Sequence, residues 1–539
     1  MATPRKVPVL IVGGGPVGLA LAGDLGWRGI ACELIEQTDG AIVSPKMNEV
    51  NIRSMEICRR WGIADKVFNC PFPPDWPLDV AFVTSLGGYE LSRLPRPGRA
   101  SQEPPPESPH RMQACSQIWF DPILRDFAGS FAHVRLRHGI RLEGFEEHAN
   151  GVTAHVVDLA TGRGEDIEAD YLVGCDGAGS TVRRALGVGL EGHGTIGHPI
   201  NMFFRKQGLL EACGRERGTF FLGIDETGLW GNLRIIDPVN GLWRLMIDQT
   251  GGDVAPEAVD RAFHLRRAIG RDIDVEWVDL NIWRRRSALA ESYGRGRVFL
   301  AGDAVHQLSP TGGMGMNTGV ADAADLGWKL AAALQGWGGP HLLGSYDLER
   351  RPVGARAVRM ATFFYKNSES FPKGSPQLAE DSEAGGRLRE EVGQALLRAI
   401  GPEFRTAGLQ LGYRYDDSPI CVPDGTEPPP DEPADYAPSA RPGSRAPHAW
   451  LADGRSILDL FGRGFTLLRF PGAPPGDAIA KAAQQRGMPL DVVERGEPEI
   501  AALYERRLVL VRPDGHVAWR ADEMPADPVG LIDRIRGAA

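Results

Sequence analysis

Apolar residues crowd positions 6–12, small residues recur through 17–28, and a second apolar run fills 31–36. The outer stretches predict strands and the middle one a helix, the β-turn-α-β opening of a doubly wound sheet. Shorter strand-like runs at 171–174 and 297–301 each lead through a turn into a helical pattern, the second of which ends near Ala333. Between about 186 and 282 the pattern changes to brief β-like runs such as 243–247, and aromatics including Phe203, Phe221, Trp230 and Trp243 gather there. This predicts an inserted sheet bearing an apolar pocket, with the α/β domain resumed after it. The proline-rich stretch at 104–109 predicts a loop between the two, and the Pro/Asp/Glu-rich stretch at 422–447 predicts a linker. Strand-like 465–470, helix-like 477–485, strand-like 490–494 and a hairpin at Pro513-Asp514-Gly515 then form a small α/β domain.

Three turns in this pattern carry chemistry. Gly13-Gly14-Gly15-Pro16-Val17-Gly18 fits G-x-G-x-x-G between the first strand and helix, and Glu36 closes the next strand. Gly13 permits the tight turn, Gly15 lets the backbone meet a pyrophosphate, and Gly18 lets helix and strand pack closely; Glu36 suits a ribose diol. Cys175-Asp176-Gly177 and Ser180 through Arg183 follow the run at 171–174. Arg183 is placed to hold that turn or to neutralise phosphate, whereas by itself the segment reads as a capped helix start. Gly302-Asp303 begins the third turn, which continues through His306, Pro310 and Gly313-Met314-Gly315-Met316-Asn317. Asp303 can accept hydrogen bonds from ribityl or ribose hydroxyls, and the following helix N-terminus offers unpaired N–H groups to an anionic flavin ring.

The order of these motifs resembles the single-component FAD-dependent aromatic hydroxylases, and within them the phenol and chlorophenol hydroxylase branch. Ser44-Pro45-Lys46, Asn51 through Glu56 with Arg53, and Gln117 with Phe120-Asp121-Pro122 resemble that family's flavin-side segments. The resemblance implies an α/β fold: a Rossmann-like FAD-binding domain at 1–75, 105–185 and 285–375, and a discontinuous β-sheet substrate domain at 76–104 and 186–284. A helical connection at 376–421, the linker at 422–447 and a thioredoxin-like α/β domain at 448–539 complete it. It implies FAD as cofactor, NADPH or NADH as reductant, and O2 with a small phenolic aromatic as substrates. Oxygen would pass to the ring from a flavin C4a-hydroperoxide, with Pro310 lining the oxygen side. Backbone N–H groups of Met316 and Asn317 would stabilise the charge of reduced flavin. A homodimer is expected.

The base that would ionise the phenol is not evident. Counting back from Glu56 places Asn48 where yeast-type phenol hydroxylases carry an aspartate, and an amide is no base. The relay then lies elsewhere, with His306, Asp225 and Tyr293 as candidates, or the substrate ionises unaided. His306 suits bracing the loop equally well. Lys46 and Arg53 read either as flavin or phosphate contacts or as solvated charges; Phe221, Trp230 and Trp243 read either as substrate wall or as sheet core.

Composition narrows the alternatives. A net charge of −10 gives no support for nucleic-acid binding, and no run approaches the ~18–20 apolar residues of a membrane span. The seven cysteines lack any C-x-x-C spacing, which points to reduced cytoplasmic thiols and no zinc site. None follows Cys421, so the last domain cannot exchange disulfides and suits an interaction role. No second G-x-G-x-x-G follows Gly18, so the reductant is expected to bind transiently against the flavin. The leading expectation is a phenol-hydroxylating flavoprotein; the others are a tailoring oxygenase of larger aromatic polyketides or antibiotics, and a flavin-binding redox sensor without turnover.

Overall fold

The computed structural model describes residues 5–249, 252 and 254–539. Five parallel strands form the first sheet in the order Val134–His138, Cys32–Glu36, Arg5–Val12, Gly164–Gly174 and Val298–Leu300. An antiparallel pair, Ile140–His148 and Gly151–Asp158, extends from Gly164–Gly174. Val9, Leu10 and Ile11 are wholly buried, as a strand covered on both faces requires. Helices Pro16–Trp27 and Gly315–Leu334 pack tightly together over this sheet. Glycines of the second helix explain the closeness: a Cβ on Gly319 would stand 2.4 Å from Val17 Cγ2, and one on Gly327 2.2 Å from Asp24 Oδ2.

The second sheet has nine strands, in the order His306–Gln307, Arg285–Ala290, Leu190–Arg205, Leu242–Gln249, Gly228–Asp237, Phe220–Asp225, Val80–Val83 and Glu90–Leu94, with Glu276–Ile282 also on Leu190–Arg205. Arg285–Ala290 and His306–Gln307 thus lie in this sheet, past the limit at 284 read from the sequence; periodicity does not mark a boundary between two β-rich bodies. Leu190–Arg205 is irregular around Gly192–Gly194 and Thr195–Gly197, pairing with Arg285–Ala290 at one end and with Leu242–Gln249 at the other. Alternation gives the sheet two different faces. Phe204, Phe221, Leu233, Trp243 and Leu245 share one and enter the main core. Asn201, Asn232, Arg234, Arg244 and Met246 share the other.

The C-terminal sheet runs Leu490–Glu494, Phe465–Arg469, Leu508–Val511, Val517–Ala521, its first pair parallel and the rest antiparallel. Asp477–Gln485 joins the parallel pair and packs beside Pro528–Ile535. Phe465 meets Trp328 of the long helix edge-on at 6.0 Å. Buried ion pairs complete this junction, linking Arg512 to Asp325 and Glu349, and Arg445 to Glu56. The stretch at 422–447 is irregular but not a free tether. Val422 N donates to Ala518 O at 2.8 Å, Gly443 N to Val517 O at 2.8 Å, and Ala440, Arg445 and Ala446 are buried. Its prolines remove donors while its remaining amides bond the neighbouring strand, a distinction that composition does not make. No helix among the described residues is long and apolar enough to cross a membrane.

Candidate active site

The strand-to-helix turn at Gly13–Gly18 is shaped by contacts that exclude side chains. Gly13 has φ +109°, and a Cβ there would lie 2.4 Å from Cys175 O; one on Gly18 would lie 2.0 Å from Gly13 O. A Cβ on Gly15 would meet nothing within 4 Å, and Gly15 starts helix Pro16–Trp27 without a side-chain cap. Those unpaired N–H groups therefore open onto space, as a pyrophosphate cradle needs. Glu36 Oε2 accepts from Gly14 N at 2.7 Å and Oε1 from Thr38 N at 2.8 Å, which fixes the carboxylate beside the turn.

Asp176 and Arg183 do structural tasks next door. Asp176 accepts from Ser180 Oγ, Thr181 N and Val182 N and so caps the helix Thr181–Ala185. Arg183 is buried, and its guanidinium donates to Ala304 O at 2.9 Å, tying this turn to the one at Gly302–Asp303. Asp303 itself is exposed and has no partner among the described residues. His306 is wholly buried, with Nε2 against Asp322 Oδ2 at 2.8 Å; Asp322 also accepts from Gly302 N and Arg350 Nε. Of the two readings of His306, the geometry favours the brace, because the ring holds Gly302 through Asp322 and reaches no solvent.

At the other end of that turn, Pro310 is exposed and Gly312 and Gly313 have φ +81° and +65°. Helix Gly315–Leu334 starts without a side-chain cap, so N–H groups at Gly315, Met316 and Asn317 are open. The Asn317 side chain clamps a second segment to this start. Its Oδ1 accepts from Asn51 N at 2.9 Å, while Nδ2 donates to Gly313 O at 2.8 Å and to Glu49 O at 3.2 Å. On that segment, Lys46 N donates to Gln117 Oε1 at 2.9 Å, and Gln117 Nε2 donates to Asp121 Oδ2 at 2.9 Å. Burial pushes the Asp121 carboxyl up to about 7. Gln117 opens helix Gln117–Gly129, and the Lys46 side chain is exposed. Among the described residues Asn48 Oδ1 is buried without a hydrogen-bond partner, an acceptor open to a donor.

Several expected contacts fall elsewhere. Arg53 is committed to Glu56 Oε2 at 3.0 Å, Asp514 O at 2.8 Å and Tyr413 Oη at 3.3 Å, and so holds the C-terminal domain instead of flavin. Phe221 and Trp243 lie with ring centroids 6.4 Å apart on the core face of the sheet and form no substrate wall. Trp230 packs over Gly223 under Arg267, whose guanidinium stands 4.6 Å from its ring. Asp225 pairs with that same Arg267, and Tyr293 is wholly buried with its Oη beside Gly354. Large aromatics signalled burial, but the face each occupied depended on register.

The opposite face of the sheet supplies residues that the aromatic signal hid. Glu49 accepts from Arg234 Nη2 at 2.7 Å and from Arg96 at 3.4 Å. Burial opposes its charge, yet these two guanidiniums hold it down at about 2. Because Asn317 holds the backbone of Glu49, this ion pair joins the helix start to the polar face of the sheet. Glu403 accepts from Gly312 N at 3.2 Å, and burial pushes it up to about 7. The signal was present in the sequence as period-two polarity, Trp230-x-Asn232-x-Arg234 facing Arg244-x-Met246-x-Asp248.

The donor set fits FAD. Two open helix starts suit a pyrophosphate and an anionic ring, and the acids Glu36 and Asp303 suit sugar hydroxyls. Two family models match the chain: an FAD binding domain over residues 6–361 and an aromatic-ring hydroxylase C-terminal domain over 439–539. The rebeccamycin biosynthetic enzyme RebC with reduced flavin superposes with TM-score 0.92 at 41% identity, covering 100% of both chains. Tetracenomycin B2 monooxygenase-dioxygenase of Streptomyces olivaceus is 33% identical over 98% of each chain. The 2,4-dichlorophenol 6-monooxygenase of Cupriavidus pinatubonensis is 31% identical over 99% of this chain and 97% of that one.

Proposed function

The chain belongs to the FAD-dependent aromatic-ring monooxygenases, and from that premise we propose that it hydroxylates a phenolic ring with O2 and NADPH or NADH. The observation that carries this reading is the Asn317 clamp, which sets the open N–H groups of one helix start at the junction of the two sheets. FAD, when bound, supplies O2 activation and delivery of one oxygen atom to the ring.

The protein's own groups then have defined tasks. The N–H groups after Gly15 hold the pyrophosphate, and Glu36 and Asp303 take sugar and ribityl hydroxyls. N–H groups at Met316 and Asn317 stabilise negative charge at the pyrimidine edge. Pro310 stands on the oxygen side of the turn and limits water there. Asn48 Oδ1 orients a phenol O–H by accepting its hydrogen bond but cannot remove the proton.

The test is substrate-stimulated NAD(P)H oxidation by the FAD-loaded protein across a panel of phenols, with products identified by mass. A product heavier by one oxygen atom supports the reading; FAD binding without stimulation by any aromatic favours the sensor. A tailoring oxygenase of a larger aromatic polyketide or antibiotic is the second reading, favoured by the higher identity to the rebeccamycin biosynthetic enzyme than to the dichlorophenol enzyme. The three-domain division, the homodimer and the cytoplasmic setting go with this proposal; sedimentation of the holoprotein tests the dimer.

A further inference from the structure

Two of the seven cysteines, distant in sequence, are brought together by the fold. Cys70 follows the short helix Ala64–Phe68, and Cys115 follows the strand Gln113–Ala114, which pairs with Glu49–Val50. The two thiols hydrogen-bond each other, and Cys70 Sγ stands 3.3 Å from Ala114 O. Arg99 Nη1 lies 3.7 Å from Cys70 Sγ, and the same guanidinium donates to Cys70 O at 3.2 Å and to Phe68 O. Arg99 and Arg111 both stack on the Phe68 ring, each 5.6 Å from its centroid, and neither forms an ion pair among the described residues. The surroundings of Cys70 are therefore electropositive.

This setting separates Cys70 from every other thiol. Burial raises Cys32 and Cys58 to about 12 and pushes Cys175, Cys213 and Cys421 up as well. At Cys70 the hydrogen bond from Cys115, joined by the Phe72 N–H and Arg99, outweighs burial and holds the thiol down at about 7. Cys115 is the converse: it donates to Cys70, is wholly buried and goes well up. The thiolate is the nucleophile in sulfur chemistry, and a protonated thiol in contact with it can resolve what it forms. Cys70 is 3% exposed and lies between exposed Asn69 and Pro71, just under the surface.

We propose that Cys70 and Cys115 form a peroxide-reactive dithiol that closes reversibly to a disulfide. The Cys70 thiolate attacks one oxygen of hydrogen peroxide. An S–O bond forms, the O–O bond breaks, and the leaving hydroxide takes up a proton as water. The Cys115 sulfur then attacks the sulfenic sulfur. The S–S bond forms, the S–O bond breaks, and the hydroxyl leaves with the Cys115 proton as a second water. The dithiol loses two electrons and peroxide gains them. Neither step uses flavin, so the chemistry is independent of the hydroxylase reading. The bond would form close to the segment at 46–51, because Gln117 N donates to Met47 O at 3.0 Å and Gln117 Oε1 accepts from Lys46 N at 2.9 Å.

The experiment treats the FAD-loaded protein with a few equivalents of hydrogen peroxide, quenches with catalase and counts free thiols after unfolding. The expected result is the loss of two thiols of the seven, a mass lower by two hydrogen atoms, and a proteolytic fragment linking Cys70 to Cys115. Dithiothreitol should restore both thiols. Cys115→Ser should stop at a sulfenic acid on Cys70, which dimedone traps. Cys70→Ser should slow oxidation of Cys115 by about tenfold or more. A disulfide between other cysteines, sulfenic acid appearing first on any residue but Cys70, or all seven thiols surviving peroxide each overturns the proposal.

Discussion

Asn317→Ala tests whether one amide aims the helix start at the flavin ring. The side chain is 5% exposed and makes three hydrogen bonds, two of them to the backbone of the segment at 49–51. Truncation leaves Asn51 N–H and Glu49 C=O without that partner, at about 1–3 kcal/mol for each buried group. Water entering the vacated space offsets part, so we expect about 2–4 kcal/mol of lost coupling between segment and turn. The loss should be local, because Ile52 N remains held by Gln410 Oε1 at 3.0 Å. If FAD binding needs the two segments in register, affinity should fall by about 30-fold to several hundredfold. Fluorescence titration of apoprotein with FAD measures this, and urea unfolding of the apoprotein gives the stability change separately. Asn317→Asp keeps the acceptor for Asn51 N but sets a carboxylate oxygen against Gly313 O and Glu49 O, so it should bind FAD no better than Ala. An Asn317→Ala protein binding FAD within about twofold of the parent would refute the reasoning, since the open N–H groups would then need no clamp.

Gly18→Ala places a methyl 2.0 Å from Gly13 O and should cost about 1–3 kcal/mol in urea unfolding as well as FAD affinity. Gly15→Ala meets nothing within 4 Å and should spare stability while weakening FAD; equal stability losses would contradict this account of the turn. Asp303→Ala should lower FAD affinity by about tenfold with no change in urea midpoint, because the carboxylate is exposed and has no partner among the described residues. Burial raises the Glu56 carboxyl, but Arg445, Arg53 and Ser108 together outweigh it and hold the group at about 2 against an ordinary value near 4.3. The folded value lies below the unfolded one, so about 3 kcal/mol is present above pH ~5 and fades as pH falls toward 2. Arg445→Met should therefore be most destabilising near neutrality, and its urea penalty should shrink between pH 5 and pH 3; a pH-independent penalty counts against the ion pair.

Much of the cofactor side was legible because local chemistry dictates it. The predicted helix at 477–485 and strand at 490–494 match Asp477–Gln485 and Leu490–Glu494, since caps, breakers and periodicity act over a few residues. The motif at 13–18 likewise forms its turn, because a Cβ at Gly13 or Gly18 has nowhere to go. Arg53 was misread for the opposite reason. A buried arginine takes whatever acceptors the fold brings, and Asp514 O and Tyr413 Oη arrive from more than 350 residues away. Phe221 and Trp243 were legible as apolar but not as facing the core, since a one-residue change of register would exchange the two faces.

The sequence by itself determined the glycine turns, the acids that follow the strands and the order of the domains. These rest on backbone conformations that only certain residues adopt and on periodicities that neighbours enforce. Tertiary structure alone decided that His306 braces Gly302 through Asp322, that Asn317 joins two flavin-side segments, and that Glu49 meets Arg234 on the polar face of the sheet. Those outcomes depend on which groups meet after long loops close. Burial then multiplies the consequence of each meeting, because a charge or amide removed from water must be answered by whatever the fold places beside it.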